Sequence, residues 1–565
     1  MKSLRIFVLF VFGGLFLLNS CVQDIIEPAD LVVKNAKILT IDSENPRAEA
    51  IAIRGEKIVA VSSNKKIEKY IDEATEVIDA EGRLVFPGFN DAHAHFGPMN
   101  PDYIELRYIT DPTEITRRVA EKVAETEPGV LIRGGHWEHE MFTNKEWPSK
   151  ELLDEVAPDN PVALSRTDGH SVLVNSYIIK ASGITKDTPD PFGGEIQKDP
   201  ISGEPTGIFK ESAQRLLKYN AKKVELSTEE QESKTSQGWK AAFDYAARLG
   251  VTSIQYPGGG NPEFFTNWQA EGLLTARIDV AGRLTANADQ LARYDEMRLN
   301  YPPEGDWIRF GYMKGFIDGT LGSGTLLLFE ELSDEPGKTG LPQMSYAELE
   351  KRILATDKMG FQIGIHAIGT KANNWILNAY EKAQLLNGKR DSRHRSEHAQ
   401  ILIDGDIPRF AELGVIASMQ PTHCITDKRF CEKRIGLERS KGAYAWRRLL
   451  DAGAKIAFGT DYSVEPLEPM EGLYAAVTRK DRLGEEGVGW FPSQKLSMEE
   501  AIELYTLGAA YAQFMEGRKG MLKKDYLGDL IIVNQDLLSV SEEEIMKTKV
   551  DVTIVGGKVV YERVL

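Results

Sequence analysis

Eight apolar runs of strand length, spread over residues 84–461 and separated mostly by amphipathic helical stretches, constrain this chain more than any other feature. They span 84–95, 250–256, 277–283, 308–318, 361–366, 395–398, 414–421 and 455–461. Helical periodicity fills most of the gaps, over 229–249, 345–358, 371–386, 407–413 and 444–451. Apolar runs alternating with helices are the pattern of βα units around a parallel sheet. Eight such units predict an α/β fold, a TIM (β/α)8 barrel, with its active site at the C-terminal strand ends.

Two regions break the repeat. Residues 97–228, between the first and second strands, are far too long for a connecting loop and hold strand-like runs at 130–134 and 162–166. They read as an inserted lid subdomain. The two ends of the chain carry short alternating segments punctuated by turns such as Arg54-Gly55-Glu56 and Gly556-Gly557. This is the signature of small β-structure. Residues 21–86 and 520–565 are therefore expected to pair into one composite β-sandwich, leaving 87–519 for the barrel.

The first residues read as a leader. Lys2 and Arg5 precede an apolar run over 6–18, too short for the roughly 20 residues of a membrane span. That run suits the apolar stretch of a secretion signal. The following Leu18-Asn19-Ser20-Cys21 resembles the lipobox of bacterial lipoproteins, with Asn19 a mild departure from the small residue usual there. The resemblance implies a signal peptide over 1–20, lipid on Cys21, and a cell-envelope protein tethered to a membrane through that anchor. Removing the leader takes away Lys2 and Arg5 and moves the formal net charge from −17 to −19. That acid excess argues against nucleic acid as a partner, since phosphate binding needs basic patches. A homo-oligomer is compatible with the sequence. The other two cysteines, Cys424 and Cys431, leave pairing open, because spacing does not establish proximity.

The chemistry lies at the strand ends. In His93-Ala94-His95 the two imidazoles are two residues apart on an extended chain, so both face one metal ion. His366, His398 and Asp461 end the fifth, sixth and eighth strands and offer metal-type ligands at the same face. Lys314 ends the fourth. Its amine is read either as an ordinary salt-bridged lysine or as a carbamate formed with carbon dioxide. The carbamate helps neutralise two divalent ions where four neutral histidines and one aspartate do so poorly.

The stretches FPGFNDAHAH (86–95), RTDGH (166–170), PTGI (205–208), KGFIDGTLGS (314–323), HAIG (366–369), EHAQ (397–400), QPTH (420–423), GTDYSVEP (459–466) and GDL (528–530) run in one order over nearly the whole chain. In this the chain resembles the amidohydrolase superfamily, and within it amidohydrolase family 3, which includes N-substituted formamide deformylases. The resemblance implies metal ligands at His93, His95, carbamylated Lys314, His366, His398 and Asp461, with Asp461 also the catalytic acid/base. It implies one or two divalent ions, zinc the first expectation, and hydrolysis of a non-peptide C–N bond in a small amide, N-acyl or N-formyl amine, or cyclic amide. Asp168 and His170 match the family pattern inside the insertion and read as substrate contacts. Arg166 either binds a substrate carboxylate or pairs with an acid, and His423, after the seventh strand, is a mouth residue touching substrate or ligands. His136, Glu138 and His139 read as surface residues, Trp137 as packed under the lid, and His394 as structural. Gly324 and Ser463 stand where the family often has Arg and Pro, which bears on substrate preference. The alternatives are a mononuclear deaminase or imidazolone-type hydrolase, a lactone hydrolase, and a non-catalytic ligand-binding lipoprotein. For the leader, Cys21→Ser is expected to abolish incorporation of labelled lipid; continued labelling of that variant would end the lipoprotein reading.

Overall fold

In the computed structural model, which describes residues 26–484 and 487–564, the eight predicted runs form one eight-stranded parallel sheet. Its strands are β1 (Phe89–Asp91), β2 (Val251–Tyr256), β3 (Arg277–Arg283), β4 (Ile308–Phe316), β5 (Gln362–Ala367), β6 (Arg395–His398), β7 (Ile416–Met419) and β8 (Lys455–Phe458). Each pairs with the next in sequence order. The ring closes through a backbone bond of 3.1 Å from Ala92 N to the Phe458 carbonyl. Nearly every strand residue is buried, as expected where helices cover a parallel sheet outside and side chains fill it inside. Cys21 lies outside the described residues.

The connecting helices follow their sequence signals. Thr228–Arg248 starts at a capping box in which Ser227 accepts from Glu230 N and Glu230 accepts from Ser227 N. The two bonds satisfy backbone donors that the first helical turn leaves unpaired. Trp239, Ala242, Phe243 and Ala246, spaced by three and four, bury one face against the barrel. Among the described residues, no helix is long and apolar enough to cross a membrane.

Both ends of the chain meet in one β-structure. A six-stranded sheet takes Lys37–Leu39, Arg47–Ala48 and Leu84–Pro87 from the N-terminal side and Leu530–Val533, Val550–Val555 and Lys558–Glu562 from the C-terminal side. A four-stranded sheet of N-terminal residues shares its apolar core, where Val33, Ile51 and Ile53 meet Val85, Ile532 and Ile554. The insertion forms a third sheet of six strands, among them Ile132–Trp137 and Val162–Arg166.

One expected element is corrected. The run 84–95 is two strands: Leu84–Pro87 pairs with Leu530–Val533 in the composite sheet, and Phe89–Asp91 pairs with β2 in the barrel. The hinge is Gly88, where a Cβ would fall 2.1 Å from Thr252 Cγ2 and 2.8 Å from Thr252 Cβ. A side chain there would force the β-structure and the barrel apart. Gly88→Ala is expected to cost about 1–3 kcal/mol by overpacking and to lower the unfolding midpoint. An unchanged midpoint in calorimetry would show that the Thr252 strand moves aside without penalty.

Candidate metal centre

The strand ends deliver their polar side chains to one place. Beyond β1 the chain bends at Ala92 and His93 but keeps alternating its bonds: Asp461 N donates to the His93 carbonyl at 2.7 Å, and Ala94 N donates the other way, to the Gln255 carbonyl. His93 and His95 therefore face the same side although both lie past the strand itself. Each presents Nε2 3.5 Å from Asp461 Oδ1. The second oxygen, Oδ2, lies 3.6 Å from His423 Nε2 and 4.0 Å from His398 Nδ1. Two groups of ligand-type atoms result, His93–His95–Asp461 and His398–His423–Asp461, each within 4.8 Å. His366 adjoins them, its ring centroid 4.5 Å from that of His398. His398 and Asp461 hold φ angles of 80° and 58°. Such positive angles cost non-glycine residues about 1–3 kcal/mol each and gather at working sites. Here they turn side chains inward just as the strands end.

The second nitrogen of each ring sorts the histidines. His93 Nδ1 lies 2.7 Å from Glu397 Oε2, His398 Nδ1 2.8 Å from Gln420 Oε1, and His366 Nε2 3.2 Å from the Gly319 carbonyl. Each of these partners only accepts, so the proton sits on that nitrogen and the opposite one keeps a lone pair. Burial pushes all three rings well below the usual histidine range, so they stay neutral as ligands must be. His423 is the reverse. Gln400 Nε2 donates to its Nδ1 at 3.0 Å, which leaves the proton on Nε2, a donor aimed at the centre.

Four buried atoms in this cluster have no hydrogen-bond partner: His93 Nε2, Lys314 Nζ, His423 Nε2 and Asp461 Oδ1. Unpaired buried polar atoms cost about 1–3 kcal/mol each, so four of them gathered in one cluster fit a centre built to hold a ligand. Neutral imidazoles with a carboxylate form the donor set of a divalent transition metal, and the residues fit such an ion. Burial pushes the Asp461 carboxyl well up and the Lys314 ammonium down, while each one's charge opposes the other's shift.

The centre opens into a cavity of about 830 Å³ between the barrel and the insertion, a size suited to a small molecule. Arg166, Asp168, His170 and His423 all line it. Arg166 is buried, and its guanidinium is occupied by Glu138 and Asp168. Asp168 Oδ2 also accepts from Thr320 Oγ1 and Ser323 Oγ, each at 2.6 Å, joining the insertion to the loop after β4. Burial disfavours a charged His170, but Glu211 at 2.9 Å outweighs it and raises the ring to about 9.

Several residues were missed or misplaced by the sequence. Glu138 and His139 are buried rather than on the surface, because Glu138 neutralises Arg166 and His139 stacks on Trp147 at 4.1 Å. His136 is half-buried against Glu105. Trp137 is fully buried, and His394 is a structural residue bonded to Asp357. Cys424 and Cys431 are buried free thiols. Glu397, which orients His93, was read only as part of a motif. Its charge is balanced by Arg395, whose Nε lies 2.8 Å from Oε1. Asp91 likewise stands in a quoted motif without a role; its Oδ1 accepts from His93 N and Thr460 N at 3.0 Å, joining the ends of β1 and β8.

A model described as "Amidohydrolase family" matches residues 76–561. The chain is 34% identical over 579 residues to Protein LONG AFTER FAR-RED 3 of Arabidopsis thaliana, covering 99% of this chain and 97% of that one. It is 28% identical to the N-substituted formamide deformylase of Arthrobacter pascens, covering 94% and 98%. Its fold superposes with a TM-score of 0.67 and 27% identity on an uncharacterized metal-dependent hydrolase from Pyrococcus furiosus, covering 90% and 100%.

Because Glu397 fixes the tautomer of His93, Glu397→Gln is expected to weaken retention of a divalent ion about 10–100-fold. Chelator competition measures this. Unchanged affinity would mean that Glu397 serves only to balance Arg395.

Proposed function

We propose, from the premise that this chain belongs to the amidohydrolase family and is a metal-dependent hydrolase of carbon–nitrogen bonds, that its substrate is a small N-acyl or N-formyl amine or a cyclic amide. The observation that carries the site assignment is the set of four unpartnered buried atoms on His93, Lys314, His423 and Asp461. The likeness to the formamide deformylase supports the substrate class.

In this reading His93, His95 and Asp461 hold one ion and His366 and His398 a second, with zinc the first candidate. Lys314 completes the set as a carbamate. Its unpartnered amine adds to carbon dioxide, forming an N–C bond and releasing a proton, and the product adds a second negative group, beside Asp461, to a set of neutral imidazoles. A divalent ion so held supplies Lewis-acid chemistry, lowering the pKa of water from about 15.7 toward neutrality and polarising a carbonyl.

The rest is done by the chain. Asp461 accepts the proton of the attacking water and delivers it to the departing nitrogen. What supports both steps is that its oxygens face opposite histidine pairs, His93 and His95 on one side and His398 and His423 on the other. His423, its proton held on Nε2 by Gln400, donates to the substrate oxygen as negative charge builds there. His170, kept charged by Glu211, faces the polar end of the substrate from the insertion.

The test is a panel of N-formyl and N-acyl amines, lactams and lactones. Asp461→Asn is expected to cut turnover of the best substrate at least about 10²–10⁴-fold while metal content stays largely intact. Near-parental turnover in that variant would remove Asp461 from the proton-transfer role, and a panel in which only lactones react would move the substrate class to esters.

A further inference from the structure

The loop that carries Asp461 is held from outside the barrel. Asp461 opens a compact turn in which Val464 N returns to the Asp461 carbonyl at 2.8 Å. Within it the Tyr462 carbonyl accepts from His95 N on the barrel side, whereas the Ser463 and Val464 carbonyls are taken by the insertion. Arg107, just beyond the insertion's edge strand Ile104–Glu105, donates NH2 to the Ser463 carbonyl at 2.8 Å and NH1 to the Val464 carbonyl at 2.6 Å. Thr167, which follows the insertion strand Val162–Arg166, adds a third contact: its Oγ1 donates to the same Val464 carbonyl at 3.3 Å and lies 3.4 Å from Arg107 NH1. A planar guanidinium matches two neighbouring oxygens in a way an ammonium does not. Glu105 and Glu465 feel the Arg107 charge, but among the described residues no carboxylate forms a close ion pair with its guanidinium, so these carbonyls are its anchor.

We propose that Arg107 is a positioning residue for the catalytic carboxylate: the insertion, through Arg107 and Thr167, fixes the Ser463–Val464 turn and thereby the place of Asp461. The barrel alone holds the other flank, where Thr460 bonds to Asp91 and Asp461 N to the His93 carbonyl. The insertion is also bonded to the loop after β4 through Asp168, so it reaches Asp461 as a fixed wall. The proposal rests on the proton-transfer role given to Asp461. That role requires its two oxygens to keep distances of 3.5–3.6 Å to histidines on opposite sides, and misplacement of a catalytic group by about 1 Å costs on the order of 100-fold.

The experiment uses the full chain with its bound metal and the best substrate from the amide panel. It compares Arg107→Ala, Arg107→Lys and Thr167→Val with Arg117→Ala, a control on the exposed insertion helix Thr113–Ala124. Two readouts are taken: the split between kcat and KM, and amide hydrogen exchange of the segment 459–467, which needs no substrate. The expected result for Arg107→Ala is a kcat lower by about 100-fold with KM within about threefold, faster exchange in 459–467, and unchanged metal content. Arg107→Lys and Thr167→Val should fall between it and the control. A raised KM with parental kcat would overturn the proposal in favour of direct substrate binding by Arg107. Unchanged exchange would overturn it by showing that the turn is held without the clamp. If Arg107→Ala fails to fold, Arg107→Lys and Thr167→Val decide by the same two readouts. If no amide is turned over, the substrate reading fails by itself and the exchange measurement still decides whether the clamp exists.

Discussion

A carboxylate buried among imidazoles, with a lysine amine and no hydrogen-bond partner for the oxygen that faces two of them, is a costly thing to fold. Much of this molecule is arranged around making it tolerable. The Asp461 carboxylate faces His93 and His95 with one oxygen and His423 with the other, a donor set that fits a divalent cation. The parallel barrel is what brings these groups together. Five of its strand ends supply Lys314, His366, His398, Asp461 and the His93-Ala94-His95 extension, and all point into one mouth. The positive φ angles at His398 and Asp461 show the backbone bending at the point where the sheet stops.

Around that centre, partners decide what each polar group can do. Acceptors on Nδ1 of His93 and His398 and on Nε2 of His366 leave lone pairs facing inward, whereas the amide donor on His423 leaves a proton there. Identical side chains thus take opposite roles through bonds made on their far sides. The insertion adds charged groups already neutralised within itself: Arg166 with Glu138 and Asp168, and His170 with Glu211. Arg107 is the exception, a cation held by backbone carbonyls, and the insertion's geometry is tied to the barrel at the loops after β4 and β8.

The barrel was legible because its strands are buried on both faces and so read as apolar runs of characteristic length. The histidines and Asp461 were legible because each sits where such a run ends. What was not legible depends on distance or on ambiguity of pattern. The run 84–95 hides a change of sheet, since alternation looks the same on both sides of Gly88 and only contact with Thr252 reveals the crossing. Glu138 and His139 sit in a polar stretch that looks like surface until Arg166, 28 residues away, is seen to need Glu138. Glu397 adjoins His398, and only a partner 304 residues distant shows that it orients His93. Arg107 carries no local signal, because the carbonyl it holds is 357 residues along the chain and belongs to no side chain at all.

The measurement that bears most directly on this arrangement is an anomalous-scattering map, collected at the edge of the metal found in protein purified without chelator. The predicted result is a peak about 2.0–2.2 Å from His93 Nε2, His95 Nε2 and an Asp461 oxygen, the ordinary coordination distances for such ligands. Protein that retains no divalent ion, or a peak elsewhere while these atoms bond only to water and protein, would contradict it.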